Sequence, residues 1–475
     1  MGQKIISIDR EGTRPQFVHR FFANACAIAL ADGAAIAGSL CLANALLFWI
    51  NGIPFSIKYG LLIVPLWTIV SMVARILPGW GVGVVDELRK IQSALFFMFV
   101  SLLLVSFFTQ KNLTSSRIIF LSTYLFSAVS VPLFRSLMRG AIISLGSWGI
   151  PVSIYGDPES ARIVVDALHA EQGLGYIPKF IFTNQLPLGH AVNGVPVLGN
   201  LRNVTHRTSV AIMALANATR HELVSTMQGP LEVYRRVIMI PDLQDAPSLW
   251  VIPRDFQGLL GLEVTKNLLN PFARILKRTI DLTLVLGTVP LWLPLMAFIY
   301  ILIWLEDRKN PIFLQPRVGL NGKIFKTAKF RTMVPDAERV LEAALKNDPA
   351  LRAEWEKNFK LKKDPRITKV GWFLRKTSLD EIPQLGNVLD GTMSLVGPRP
   401  LPEYHFKDLS PQVQSLRNRV RPGITGLWQV SGRSDSGNEG MEKWDPYYVR
   451  NWSIWLDVVI LFRTFKAVFR ASGAY

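Results

Sequence analysis

Cysteine is almost missing from this chain: Cys26 and Cys41 are the two among 475 residues. Two thiols build no disulfide framework, and no Cys/His spacing here matches a structural zinc site. Acidic residues are also scarce, 35 Asp and Glu against 53 Lys and Arg, which leaves a formal charge of +18. Charged residues of both signs make up only 19% of the chain, whereas 49% is hydrophobic. A basic soluble nucleic-acid binder carries more charge and less apolar sequence, and a disordered chain carries far less apolar sequence. Neither class fits. What remains is a basic membrane protein, long enough for two or three domains.

The apolar residues are concentrated. From residue 21 to 57 only Asp32 is charged, and uncharged runs follow over 59–74, 91–110 and 118–134. Each run is near the roughly 20 residues that a bilayer-spanning helix needs, so four transmembrane helices are predicted within 1–140. Lys4, Arg10, Arg14 and Arg20 precede the first helix, Arg75, Arg89 and Lys90 follow the second, and Arg135 and Arg139 end the fourth. The opposite loops hold Lys58, then Lys111 and Arg117. By the positive-inside rule both ends of this unit are cytoplasmic. The polar and charged opening of the chain does not read as a cleaved signal peptide. Asp32 reads either as a functional intramembrane carboxylate or as part of a closely packed helix face, and its neighbours Gly33, Gly38 and Ser39 favour packing.

Residues 141–270 change character. Short apolar runs at 151–155, 179–183, 195–198, 209–215 and 236–240 alternate with polar stretches. That alternation predicts a Rossmann-like parallel sheet with helices between strands. The first strand ends in Gly156-Asp157-Pro158-Glu159-Ser160, a turn into a helix start of the kind that cradles phosphate, but the G-x-G-x-x-G spacing of dinucleotide sites is absent. The domain is therefore either a nucleotide binder or purely structural or regulatory.

The positive charge sits mostly in 271–475, where 32 Lys and Arg face 20 Asp and Glu, a net +12. Such an excess points to polyanionic ligands, an anionic membrane face, or both. The segment opens with Lys277 and Arg278, then 24 uncharged residues over 282–305 containing Gly287, Pro290 and Pro294. Proline inside a helix removes a donor and kinks it. A broken helix over 279–305 that enters and leaves by one face keeps everything after it on the cytoplasmic side.

A dense polar series follows. Lys326, Lys329 and Arg331 alternate with apolar residues, as in a strand that presents charge to a ligand. Asp364-Pro365-Arg366-Ile367-Thr368 comes next, then Arg375 five residues before Asp380-Glu381 on a short helix, then Gly397-Pro398-Arg399-Pro400, and finally Arg421-Pro422-Gly423-Ile424-Thr425-Gly426. Carboxylates among fixed cations suit phosphate transfer: one nucleophile or metal ligand, one acid or base, and guanidinium forks for charge developing on oxygen. Arg399, between two prolines, reads as a phosphate contact or as a rigid structural turn. Arg366 and Arg375 read as ligand contacts or as ion-pair partners of the two acids. At 452–470 an aromatic-rich helix with Arg463, Lys466 and Arg470 on one face suits a membrane interface.

Taken in order, Lys-Phe-Arg-Thr-Met, Asp-Pro-Arg-Ile-Thr, Ser-Leu-Asp-Glu, Leu-Val-Gly-Pro-Arg-Pro and Arg-Pro-Gly-Ile-Thr-Gly resemble the bacterial sugar transferase family, the monotopic polyprenyl-phosphate phosphoglycosyl transferases, over about 272–475. With the N-terminal helices the whole chain resembles the large form of that family. The resemblance implies a multidomain α-helical membrane protein of the bacterial inner membrane, with a re-entrant helix and an α/β catalytic domain on the cytoplasmic face. It implies Asp380 as nucleophile and Mg2+ ligand, Glu381 as its assistant, and Lys329, Arg331, Arg366, Arg375, Arg399 and Arg421 around the substrates. The implied partners are a UDP-hexose, undecaprenyl phosphate and membrane lipids, without nucleic acid and with a homodimer left open. The implied product begins O-antigen or another lipid-linked polysaccharide, with galactose favoured over glucose by the whole-chain resemblance. Two departures stand out: Leu293-Pro294 where the family often has Ser-Pro, and Thr392 where it often has Asp. A catalytically inactive scaffold on the same fold is the competing expectation, and the intact Asp380, Glu381 and Arg399 argue against it.

Overall fold

The computed structural model describes residues 6–7, 15–52, 60–109, 114–205, 207–215, 220–234, 236–240, 251–256, 259–264, 271–347, 351–352, 361, 364–431 and 437–469. Lys4, Arg10, Arg14, Lys58, Lys111 and Arg470, and the side chain of Arg117, lie outside the described residues. The chain divides into two compact units, Met1–Asp245 and Ala246–Tyr475.

The first unit begins with α1 (Pro15–Asn51), α2 (Gly60–Val73), α3 (Val84–Thr109) and α4 (Thr114–Ser144). Ala35, Ile36, Trp67, Leu95, Phe99 and Val131 pack between them, while Leu30, Leu42, Phe97 and Leu125 point outward and exposed. Helices that are apolar on both sides fit a lipid surround. His19–Ile50, Val84–Phe108 and Ile118–Ser144, together with Val289–Asp307 of the second unit, are long and apolar enough to cross a membrane. The second expected span, α2, has 14 residues. At 1.5 Å per residue that is about 21 Å, short of a hydrocarbon core of about 30 Å.

Asp32 is fully buried, and it is paired. Its carboxylate accepts from Arg135 and, at 3.0 Å, from the Trp67 indole. Arg135 also bonds the Ile76 carbonyl at 2.9 Å and Glu87 at 3.3 Å, and Glu87 in turn pairs with Arg139. Two acids and two arginines thus join α1, α3, α4 and the chain after α2. Arg135 and Arg139 are therefore not the exposed loop charges that a positive-inside count takes them for. Close packing is present as well: a Cβ on Gly33 would sit 3.2 Å from Val64.

The rest of the unit is a six-stranded sheet of β1 (Ile150–Gly156), β2 (Tyr176–Phe182), β3 (Ala191–Val192), β4 (Val195–Gly199), β5 (Val210–Ala214) and β6 (Arg236–Met239), in spatial order β3-β4-β2-β1-β5-β6. All neighbours run parallel except β3 with β4. β1 and β5 are apolar and buried on both faces, as central parallel strands are. Helix α5 (Pro158–Ala170) follows β1 and buries Val164, Val165 and Leu168, and α6 (Arg220–Met227) lies between β5 and β6 in the chain. The carboxylate of Asp157 caps α5, accepting from the Ser160 backbone at 3.4 Å and hydroxyl at 2.8 Å. The cap puts a negative charge at this helix start. Where the strand order reverses, Gly156 packs on β5 so closely that a Cβ would lie 2.1 Å from the Ala214 oxygen.

The second unit opens with the antiparallel strands β7 (Val251–Phe256) and β8 (Leu259–Val264). Then come α7 (Pro271–Gly287) and α8 (Val289–Asp307). The apolar segment does break, but at Thr288 rather than at Leu293-Pro294. The Thr288 hydroxyl bonds back to the Leu284 carbonyl at 2.7 Å, and Pro290 falls in the first turn of α8, where its missing donor costs little. Pro294 is carried inside α8. Both helices are tied to the same unit. In α7, Lys277 bonds Asp457 at 2.6 Å, Asp281 accepts from Ser394 at 2.6 Å, and Val285 packs on Val388 and Met393. In α8, Ile299 and Ile303 pack on Phe330 and Leu374, while Leu291, Phe298 and Ile301 stay exposed.

After α8 come the hairpin of β9 (Ile312–Val318) and β10 (Ile324–Phe330), α9 (Ala337–Asn347), α10 (Lys369–Thr377) and α11 (Gln384–Asp390). A parallel pair, β11 (Ser394–Val396) and β12 (Gly423–Thr425), flanks α12 (Glu403–Lys407) and α13 (Pro411–Arg417). The chain ends in α14 (Leu427–Ser431), α15 (Gly437–Asn451) and α16 (Ile454–Phe469). In α16 Leu456 and Ile460 are buried while Phe462 and Phe465 are exposed.

Candidate active site

The strand pleat decides what the β9–β10 hairpin presents. Its register sets Phe313 opposite Lys329, Gln315 opposite Thr327 and Arg317 opposite Phe325. Directly paired residues share a face, so Gln315, Arg317 and Lys329 project together, and Phe330 goes to the core on the other face. Just after β10, Val334 and Thr368 pair with Arg366 and Thr332 through backbone bonds of 2.9 and 3.1 Å. This bridge brings the Asp-Pro-Arg-Ile-Thr segment alongside. Thr368 then caps α10, accepting from the Gly371 backbone at 3.0 Å. Gly371 lies against Thr332 so tightly that a Cβ would stand 2.1 Å from its carbonyl oxygen.

Asp380 and Glu381 occupy a single 3-10 turn, Leu379–Glu381, rather than a longer helix. Ser378 ends α10 in the left-handed region, at φ 57°, and Pro383 starts α11, so only one turn fits between them. Leu379 and Ile382 anchor the turn in the core beside Ile299 and Phe330. The two acids are left facing an open cleft of about 1900 Å³, which Arg317, Lys329, Arg375 and Arg399 also line.

The two carboxylates differ. Glu381 Oε1 accepts from Lys329 at 2.7 Å and from Arg399 at 3.1 Å. Burial alone works to raise its pKa, but Arg399 and Lys329 together hold it below the usual carboxylate range. Asp380 has no side-chain hydrogen-bond partner among the described residues. Burial, helped by the negative charge of Glu381, pushes its carboxyl above the ordinary value against the pull of Lys329 and Arg375. One acid is thus locked in the charged form by cations, and the other is held ready for a cation or an electrophile.

The expected cations separate into groups. Lys329, Arg375 and Arg399 surround the acids. Arg375 is steadied by the Thr332 hydroxyl at 2.8 Å, and its charge acts on Asp380. Arg331 and Arg366 line the cleft but carry their own carboxylates: Arg331 forks onto Asp307 at 2.5 and 2.7 Å, and Arg366 onto Asp364 at 2.6 and 2.8 Å. Arg421 is not among the cleft-lining residues, and its Nε donates to the Gly391 carbonyl at 2.7 Å. Thr392, in the place where an Asp was expected, donates through its backbone and hydroxyl to Asp390 at 2.8 and 2.6 Å.

Among the described residues no group of three or more His, Cys, Asp or Glu is placed to hold a metal. Magnesium, however, keeps much of its water and is commonly held by one or two carboxylates plus substrate phosphates. A carboxylate without a side-chain hydrogen-bond partner among the described residues, in a cleft lined by Arg317, Lys329, Arg375 and Arg399, fits that habit.

Comparison with known proteins bears on what this cleft serves. The family described as bacterial sugar transferase matches residues 272–471, a span that contains every residue of the cleft. Undecaprenyl-phosphate galactose phosphotransferase of Salmonella typhimurium is 36% identical over 398 residues, 82% of either chain. The chain belongs to the bacterial sugar transferase family. UDP-glucose:undecaprenyl-phosphate glucose-1-phosphate transferase of Escherichia coli is 30% identical over 376 residues, 75% of this transferase and 76% of that one. The exopolysaccharide production protein ExoY of Sinorhizobium fredii is 41% identical over 207 residues, which are 44% of this transferase but 91% of the shorter protein.

The transferase also has residues in and behind the cleft that sequence reasoning passed over. Arg317 lines the cleft between Gln315 and the Glu381 cluster. Its signal was weak, because one Arg in a seven-residue strand carries no local pattern. Arg417 and Asp445 form a buried pair behind Arg399, and Arg417 bonds the Arg399 carbonyl oxygen. No spacing in the sequence links three positions that far apart.

Proposed function

We propose that this transferase moves a hexose 1-phosphate from a UDP-hexose to undecaprenyl phosphate, and that Asp380 carries the phosphosugar between them. The observation that carries the reading is the contrast between the two acids: a half-buried Asp380 without an ion-pair partner among the described residues, beside a Glu381 committed to Lys329 and Arg399. In the first step an Asp380 oxygen bonds to the sugar-bearing phosphorus. The bond from that phosphorus to the bridging oxygen breaks, and UMP leaves with the electron pair. In the second step an oxygen of undecaprenyl phosphate attacks the same phosphorus and the Asp380 carboxylate leaves, which yields a lipid diphosphate sugar. Each step brings one anion against another, so the surplus of fixed guanidinium and ammonium groups lowers both barriers. Glu381 holds Lys329 and Arg399 in place. Magnesium, held by Asp380 and the substrate phosphates, would add charge neutralisation and orient the phosphates.

The donor hexose is taken as galactose, because the Salmonella relative bearing that name matches at 36% against 30% for the glucose enzyme of Escherichia coli. Glucose is the second reading on the same grounds. The test is UMP release by the purified full-length protein from UDP-galactose, UDP-glucose and UDP-N-acetyl sugars, with undecaprenyl phosphate and Mg2+. Galactose is expected to turn over fastest, with EDTA stopping the reaction and Asp380→Asn lowering it by about 10³-fold or more. Full turnover in Asp380→Asn would discard the covalent step. Exchange of labelled UMP into UDP-hexose without lipid acceptor is the direct sign of that step.

The helix pair α7–α8 is proposed as re-entrant, with the catalytic unit on the cytoplasmic face of the bacterial inner membrane, where O-antigen or another lipid-linked polysaccharide would begin. The support is mechanical. Lys277 and Asp281 on one side of the break, and Ile303 and Asp307 on the other, are all tied to the same compact unit. A full crossing would set those two ends about 30 Å apart across lipid. Asn270→Cys and Asn310→Cys, each made without Cys26 and Cys41, should label from the same side, and opposite-side labelling would reject re-entry. The sheet of the first unit is read as a Rossmann-like support without a nucleotide of its own, a reading supported by the acidic cap that Asp157 puts on the helix start after β1.

A further inference from the structure

Arg317 and Arg399 come from segments 82 positions apart, yet the fold fastens them side by side. The residue after Arg317 donates its backbone N–H to the oxygen of Leu401, two residues past Arg399, at 2.9 Å (Val318 to Leu401). Arg399 is further held by its own carbonyl, which accepts from the buried Arg417. The loop after β9 is pinned to the same place, with the Asn321 N–H bonded to the Asn418 oxygen at 2.8 Å. On its strand Arg317 is aimed by Gln315, whose Oε1 accepts from its Nη2 at 2.5 Å. The backbone bonds fix the two residues next to each other, and the guanidinium groups themselves are held by Gln315 on one side and Glu381 on the other.

Charge makes the pair informative. Arg317 has no carboxylate partner within ion-pair distance among the described residues. The acid whose charge acts on it, Glu381, is already bonded by Lys329 and Arg399. Burial, and then the like charge of Arg399, depress the Arg317 pKa. Around the two acids stand Arg317, Lys329, Arg375 and Arg399, four cations to two carboxylates. Guanidinium groups forced together in a partly desolvated place repel unless a multiply charged anion lies between them, and the planar fork of arginine suits phosphate oxygens.

We propose that Arg317 is a substrate-binding residue that, with Arg399, grips the diphosphate of the donor nucleotide. The assignment deepens the reading of this cleft as the donor site and rests on it. Because Arg399 bonds Glu381, the residue that follows Asp380 in the chain, and Arg317 feels the charge of both Arg399 and Glu381, the pair is placed to meet the phosphate that is attacked. Their grip therefore distinguishes a nucleoside diphosphate from a nucleoside monophosphate.

Calorimetric titration of UDP and of UMP into the purified full-length protein tests this. Arg317→Gln is expected to weaken UDP binding by about 10- to 100-fold, the scale of a lost charge-assisted hydrogen bond, and UMP binding by less than about 3-fold. Equal weakening of both nucleotides, or of neither, overturns the assignment. So does a wild-type protein that binds UDP no better than UMP. Should Arg317→Gln fail to fold, Arg317→Lys keeps the charge and loses the fork, and unchanged UDP affinity in that variant overturns it as well. The readout is separate from catalysis. Wild-type protein that shows this UDP preference but releases no UMP from any UDP-hexose would sink the proposed reaction and leave Arg317 assigned. Turnover with unaltered UDP affinity in Arg317→Gln would do the reverse.

Discussion

Arg417 donates to the backbone oxygen of Arg399, so the residue whose guanidinium bonds Glu381 is held at its backbone by a second, buried guanidinium. Arg417 itself is neutralised by Asp445, which is buried with it. A polar column thus runs from the core to the cleft. The two prolines flanking Arg399 restrict its backbone, and Arg417 supplies the fixed point against which that restriction works.

The base of the column should be sensitive to pH. Burial pushes the Asp445 carboxyl up to about 6, even against Arg417, from an ordinary 3.8. The folded state therefore holds that proton more tightly than the unfolded chain does. The stabilisation is complete below about pH 4 and is lost as pH rises through about 6, on the order of 3 kcal/mol. In thermal melts of wild type and Asp445→Asn, the wild-type advantage should be greatest near pH 4 and shrink toward pH 6. A difference that stays flat over that range would refute the burial argument.

Activity should depend on pH through Asp380, which must be ionised to attack. Lys329 lowers the pKa of both acids, whereas Glu381 raises that of Asp380. Lys329→Met is thus expected to move the acid limb of kcat/KM to higher pH, and Glu381→Gln to move what activity remains to lower pH. Shifts in the same direction in both variants would contradict the assignment of charges.

The Gly371–Thr332 approach is another lever on the site. A Cβ at position 371 must displace the Thr332 backbone, whose side chain steadies Arg375. Gly371→Ala should cost about 1–3 kcal/mol of stability, as overpacking does, and lower kcat/KM about 10-fold through a misplaced Arg375. Thr332→Val, which removes only the hydroxyl, should reproduce much of the kinetic loss at little cost in melting temperature.

In the first unit the decisive test is Arg135. Replacing it by Leu leaves Asp32 and Glu87 buried without their shared partner and should cost about 3–5 kcal/mol in detergent melts. Combining Asp32→Asn with Arg135→Gln should cost less than the sum of the two single changes. Strict additivity would mean that the pair does not interact.

Much of the chemistry could be read along the chain. Asp380, Glu381, Arg375 and Arg399 lie within 25 consecutive residues, 375–399, and phosphate transfer demands those residue types locally, so their order alone announced them. The strands of the first unit were legible because parallel strands buried on both faces leave continuous apolar runs. Three matters were decided only by tertiary structure. The helix break falls at Thr288, with Pro290 in the first turn of α8 and Pro294 carried inside it, which no count of prolines reveals. Arg135 and Arg139 are core ion pairs rather than loop charges because Asp32 and Glu87 arrive from other helices. Arg317 reaches the cleft because a hairpin register and a single backbone bond to Leu401 bring it beside Arg399. Residue type and local spacing follow from sequence, but which charge neutralises which depends on contacts between distant segments, and those exist only once the chain has packed.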